Sequence, residues 1–144
     1  MKFFVVALAV SAAAVALVLS AAEKPADDPV AQLQGKWVET MKDPQGKTYR
    51  SVKLIEGKKE TFSRYDGQTL IQQHTVDFEV TKSEHVMIYT FRNLIVAIGP
   101  NKGTVYKDPV SYLYQVKGDR LFYTFGMMND DKQPFSVGVC ERVK

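Results

Sequence analysis

From Lys36 to the C-terminus the chain alternates apolar and polar residues, and turn signals interrupt it roughly every 8 to 15 residues. No sustained apolar pattern at helical spacing competes with it. The alternation predicts strands over Lys36–Thr40, Tyr49–Ile55, Glu60–Tyr65, Thr69–Thr81, His85–Asn93, Val110–Val116, Leu121–Met127 and Phe135–Val143, with a further short one over Leu94–Ile98. Asp66-Gly67 and Lys117-Gly118-Asp119 supply the positive φ that tight hairpins need. Gly99-Pro100-Asn101-Lys102-Gly103 opens the longest connection, which closes at Asp108-Pro109. About eight or nine short strands with tight links and almost no helix must close into a barrel or stack as two sheets. Greek-key sandwiches need long crossovers, and only the 99–109 segment offers one. The expected fold is therefore all-β, an antiparallel up-and-down β-barrel, which also removes exposed sheet edges.

The N-terminus does not belong to this pattern. Lys2 gives a positive start, Phe3 to Leu19 is apolar except for Ser11, and Ser20-Ala21-Ala22 offers the small residues of a cleavage site before Glu23. Residues 1–22 read as a signal peptide. The rival reading is a retained membrane anchor, since about 17 apolar residues is the bottom of the spanning range. The Ala-rich run and the adjoining cleavage site favour removal, and with it no stable membrane insertion and a periplasmic or secreted destination. Residues 23–32, rich in Pro and charge, read as a flexible leader, although Val30 to Gln34 suit one helical turn before Gly35 stops it. Residues 33–144 then form one domain, the exported portion being about 122 residues and long enough for a core.

Charge excludes one class of partner. The chain holds 19 Lys and Arg against 16 Asp and Glu, and its longest basic run is Lys58-Lys59. That balance carries no electrostatic footprint for nucleic acid. Cys140 is the only Cys, so no intrachain disulfide forms, and its neighbours Val137 and Val139 suggest a buried, inert thiol on a strand.

Gly35-Lys36-Trp37 at the first strand resembles the G-x-W motif of lipocalins and fatty-acid-binding proteins. Val139-Cys140-Glu141-Arg142-Val143 resembles the Arg-bearing last strand that returns beside that Trp. The export signal, charged leader and Leu-Gln-Gly-x-Trp resemble a secreted lipocalin-like domain family of planctomycetes and similar bacteria, of uncharacterised function. The resemblance covers roughly residues 30–144 and implies that Gly35, Trp37 and Arg142 close one barrel end. The chain departs from the fatty-acid-binding pattern. No helix-turn-helix follows the first strand, and Lys144 stands where the Tyr of an R-x-Y ending would lie.

Candidate binding residues come from the strand faces. On Thr69–Thr81, Leu70, Gln72, His74, Val76, Phe78 and Val80 share one face, and Gln73, Thr75, Asp77 and Glu79 share the solvated one. Gln72 and His74 are thus expected inside, where a buried polar group needs a partner: a side chain, a water or a ligand. Tyr112, Tyr114 and Tyr123 are expected to point inward too, as core filling or as a pocket wall. Met127-Met128 suits a barrel mouth or ordinary packing.

Enzyme templates find no match. There is no H-x-x-x-H or C-x-x-C metal spacing, no G-x-S-x-G elbow and no Gly-rich phosphate loop. No cofactor is implied. The expected function is non-catalytic binding of a small hydrophobic ligand inside the barrel. The alternative is a cell-envelope interaction module with a filled barrel, binding protein or polysaccharide through loops 41–48 and 99–109, with Lys102, Tyr106 and Lys107 as contacts.

Overall fold

The computed structural model describes residues 28–128 and 136–144. The segment assigned to the signal peptide lies outside those residues, as do Glu23 to Asp27 of the leader and Phe135, the expected start of the last strand. The described chain opens with one helical turn, α1 (Pro29–Leu33). Nine strands follow: β1 (Gly35–Lys42), β2 (Thr48–Glu56), β3 (Lys59–Asp66), β4 (Thr69–Ser83), β5 (Val86–Ile98), β6 (Val105–Tyr106), β7 (Val110–Lys117), β8 (Arg120–Phe125) and β9 (Ser136–Arg142). Sheet order is β4-β3-β2-β1-β9-β8-β7-β5, and β4 also pairs with β5. Every neighbour is antiparallel, so eight strands close an up-and-down β-barrel, with β6 as a short addition to β5.

Local chemistry sets the corners. The β3–β4 and β7–β8 hairpins have two-residue loops led by Gly67 (φ +60) and Gly118 (φ +58). A Gly at the first central position lets the turn follow the right-handed twist of its strands. Where the sequence suggests two strands, His85–Asn93 and Leu94–Ile98, the structure has one. Asn93 takes a positive φ of 55° and donates its side-chain amide to Asp77 Oδ2 at 3.1 Å. Asp77 faces Arg92 while Thr75 faces Ile95, so two β5 residues oppose one on β4, a β-bulge. The bulge shifts the alternation by one residue, which looks like a strand break in sequence. β8 ends at Phe125, short of the Met127 limit predicted for it.

Residues 28–32, assigned to the leader on composition, are docked. Asp28 accepts a hydrogen bond from Val30 N at 2.9 Å and Pro29 starts the turn, which suits a residue without an N–H. The turn drives Leu33 into one barrel end, where it joins Trp37, Ile55, Phe78, Tyr89, Tyr112, Tyr114, Leu121 and Cys140 in the core. Trp37 is fully buried and donates from Nε1 to Leu33 O at 2.7 Å.

Arg142 ties this end together. Its guanidinium lies 4.0 Å from the Trp37 ring centroid and donates to Gln34 O at 2.5 Å and Gln32 O at 2.8 Å. Asp119 sits 3.7 Å from its Nε. Gly35 holds φ +106°, and a Cβ there would come within 3.4 Å of Arg142 Nη1.

Arg142→Ala removes a desolvated cation–π contact and two charged hydrogen bonds, and is expected to cost about 2–4 kcal/mol. Gly35→Ala forces a positive φ on a residue with a Cβ and should cost about 1–3 kcal/mol. Denaturant unfolding followed by the fluorescence of the single Trp measures both.

Candidate functional site

β1 leaves the sealed end at Trp37, and the barrel beyond it is not filled. A cavity of about 390 Å³ lies there, bounded by Lys53, Glu60, Phe62, Arg64, Gln72, His74, Tyr112 and Tyr123 among others. Its walls mix aromatic and aliphatic side chains with charged and polar ones, Lys53, Glu60, Arg64, Gln72 and His74 among them.

The cavity floor is an ion pair. Lys53 is 9% exposed and Glu60 4%, and Lys53 Nζ donates to Glu60 Oε1 at 3.0 Å. Glu60 Oε2 accepts the Tyr89 hydroxyl at 2.7 Å, so both carboxylate oxygens are used. The ammonium also lies 5.3 Å from the Tyr123 ring centroid and 5.5 Å from that of Tyr112. Burial, the largest single influence, works to lower the Lys53 pKa, but the Glu60 carboxylate together with Tyr112, Tyr123 and Cys140 outweighs it and holds the ammonium charged. Phe78, Tyr89 and Tyr112 stack in sequence behind the pair, with centroid spacings of 4.5 and 4.7 Å.

Sequence reasoning missed this pair. Val52 and Leu54 flank Lys53, and an apolar-in reading turns the lysine outward. The β2–β3 register reverses that assignment, because Lys53 sits opposite Phe62 and Ile55 opposite Glu60. The signal was in β3: with Phe62 inside, a period of two carries Glu60 and Arg64 inside with it.

Of the residues expected inside, Gln72, His74, Tyr112 and Tyr123 line this one cavity. His74 stacks on Phe62, centroids 4.8 Å apart. Burial lowers its pKa, Glu60 opposes that, and Lys53 and Arg64 add to the lowering, so the imidazole is neutral at pH 7. Tyr123 donates to Glu39 Oε2 at 2.7 Å. Its ring lies against Gly138, where any Cβ would overlap it.

Tyr114 lies elsewhere. Its hydroxyl donates to Pro29 O at 3.3 Å, which places it at the sealed end. Met127 and Met128 are exposed and do not line the cavity. In the 99–109 segment Lys102, Tyr106 and Lys107 are exposed, and the Tyr106 hydroxyl accepts from Asn101 Nδ2 at 3.1 Å. Asp77 and Glu79 face outward in ion pairs with Lys59 and Arg92.

Cys140 is buried, and its burial pushes the thiol up to about 12. Among the described residues no group of three His, Cys, Asp or Glu is placed to hold a metal. No helix among them is long and apolar enough to cross a membrane. What the arrangement offers is a partly open apolar and aromatic surface on which charged and polar side chains converge.

Lys53→Met or Glu60→Gln alone strands a buried partner and should cost about 3–5 kcal/mol, whereas the double variant recovers most of that loss. Equilibrium unfolding of the four proteins checks it. The raised acid groups set an alkaline limit. Tyr114, like Cys140, is pushed to about 12, by burial first and then by Asp28. The unfolded chain loses these protons nearer pH 9 to 10. The stability these two groups contribute is therefore full below about pH 9 and falls as pH rises toward about 12, which thermal unfolding from about pH 8 upward measures. Comparison with protein-family models, with curated proteins and with solved structures finds no match for this chain.

Proposed function

We propose that the protein is an exported, non-catalytic binding protein whose barrel encloses one small, largely apolar molecule. The observation that carries this reading is the cavity of about 390 Å³ walled by Phe62, Tyr112 and Tyr123, with Gln72 and His74 converging on it. A small-molecule site typically has about 300–1,000 Å³, aromatic walls and few polar groups. A barrel serving only as an interaction module has no use for such a space, so the filled-barrel alternative has less support. The apolar N-terminal run supports export. The closed barrel with Trp37 and Arg142 at one end supports kinship with the secreted lipocalin-like family that the sequence resembles.

The test is fluorescence titration with N-phenyl-1-naphthylamine, an apolar dye that brightens on leaving water. The wild type should bind one dye per chain. His74→Trp, which keeps a flat ring on Phe62 and narrows the cavity beside it, should weaken that stoichiometric binding. Equal binding by both proteins would place the dye outside the barrel and defeat the reading.

A further inference from the structure

Arg64 is the one interior cation that the described residues leave without a counter-ion. Its Nε is buried with no hydrogen-bond partner. Among the described residues its Nη2 reaches only the Met41 thioether, at 3.9 Å, a weak acceptor. Its guanidinium rests 5.5 Å from the Phe62 centroid, and no carboxylate among the described residues stands within ion-pair distance. The other interior charges are matched. Lys53 is held by Glu60, and Glu39 accepts from Tyr123 and from Val139 N. Arg142, the arginine of the last strand, is engaged by the sealed end. Among the described residues that line the cavity, the charges are Lys53 and Arg64 against Glu60, while Glu39 lies behind Tyr123 and is met there by neutral donors.

The surroundings of Arg64 suit an acceptor group. Gln72 is its register partner across β3–β4 and offers amide donors. His74, two residues along the same face of β4, is neutral and offers one N–H. A guanidinium presents parallel N–H groups in a plane that matches a carboxylate. Phe62 and His74 form a flat stacked plate beside it, and Phe91 and Phe125 face the same space.

We infer that Arg64 anchors the carboxylate of a small, flat, apolar monoacid, so that the cavity selects monocarboxylates over neutral, cationic and dianionic molecules of the same shape. The inference rests on the cavity-binding reading above and adds the chemical class of the ligand. One negative charge pairs with Arg64, the lining cation that no described carboxylate meets. A second would stand uncompensated near Glu60 in a site poor in water.

Calorimetric titration of the purified full-length protein tests this with 2-naphthoate, 2-naphthamide, 2-naphthylmethylammonium and 2-naphthyl phosphate. 2-Naphthoate should bind at least about tenfold more tightly than the other three, since a charge-assisted pair is gained. Arg64→Gln should bring it down to the amide's affinity and leave the amide unchanged. Arg64→Met should unfold at no lower temperature than the wild type, because it trades the weak Met41 and Phe62 contacts for removal of a buried, unpaired Nε; a merely structural arginine would lower that midpoint. If the amide or the phosphate binds as tightly as the acid, or Arg64→Gln weakens acid and amide alike, the anchor is overturned while cavity binding stands. If none of the four binds, the cavity reading falls as well.

Discussion

The guanidinium of Arg142, stacked 4.0 Å from the indole of Trp37, lies where the first and last strands of the barrel meet. Those strands share two register pairs, Trp37 with Arg142 and Val38 with Glu141. Backbone ladders of five or more pairs join each of the other barrel strands to its neighbours. Closure of the cylinder therefore leans on side chains. Arg142 answers the carbonyls of Gln32 and Gln34, the face of Trp37 and the carboxylate of Asp119 together. Without that junction α1 would be held by the Trp37–Leu33 and Tyr114–Pro29 bonds, and the cover over Trp37 would be lost.

Sealing one end concentrates the polar interior in the other half. A buried ion pair such as Lys53–Glu60 adds little net stability, because desolvation offsets its attraction. It does impose geometry. Glu60 can accept from both Lys53 and Tyr89 only if β2, β3 and β5 keep their present spacing, and the ammonium then fixes Tyr112 and Tyr123 around it. The aromatic walls are held apart by this framework, and the space between them is the cavity.

Much of the architecture was legible because it follows from short-range rules. Period-two alternation located the strands, and Gly67 and Gly118 marked hairpins. The inward face of β4 was readable from Phe78 and Val76, which carried Gln72 and His74 with them. Legibility failed where register overrides local pattern. Lys53 sits between two apolar residues and looks exposed until the pairing with Phe62 turns it inward. Tyr114 shares a face with Tyr112, yet two residues along a strand span about 6–7 Å. That distance moves it from the cavity to the sealed end. The bulge at Asn93 likewise hides a continuous strand behind a change of phase.

The short β1–β9 ladder has a consequence for how this molecule meets its own copies. Past Val38 the two strands part, and β9 shows Val137 and Val139 at 62% and 40% exposure, the profile of an adhesive edge. Glu39 occupies the gap, its Oε1 accepting from Val139 N at 3.2 Å. A strand arriving from another chain would have to displace that carboxylate to reach the same amide. The side chain that steadies Tyr123 thus also blunts an edge that could seed aggregation, and keeps the barrel's unfinished seam closed to other chains.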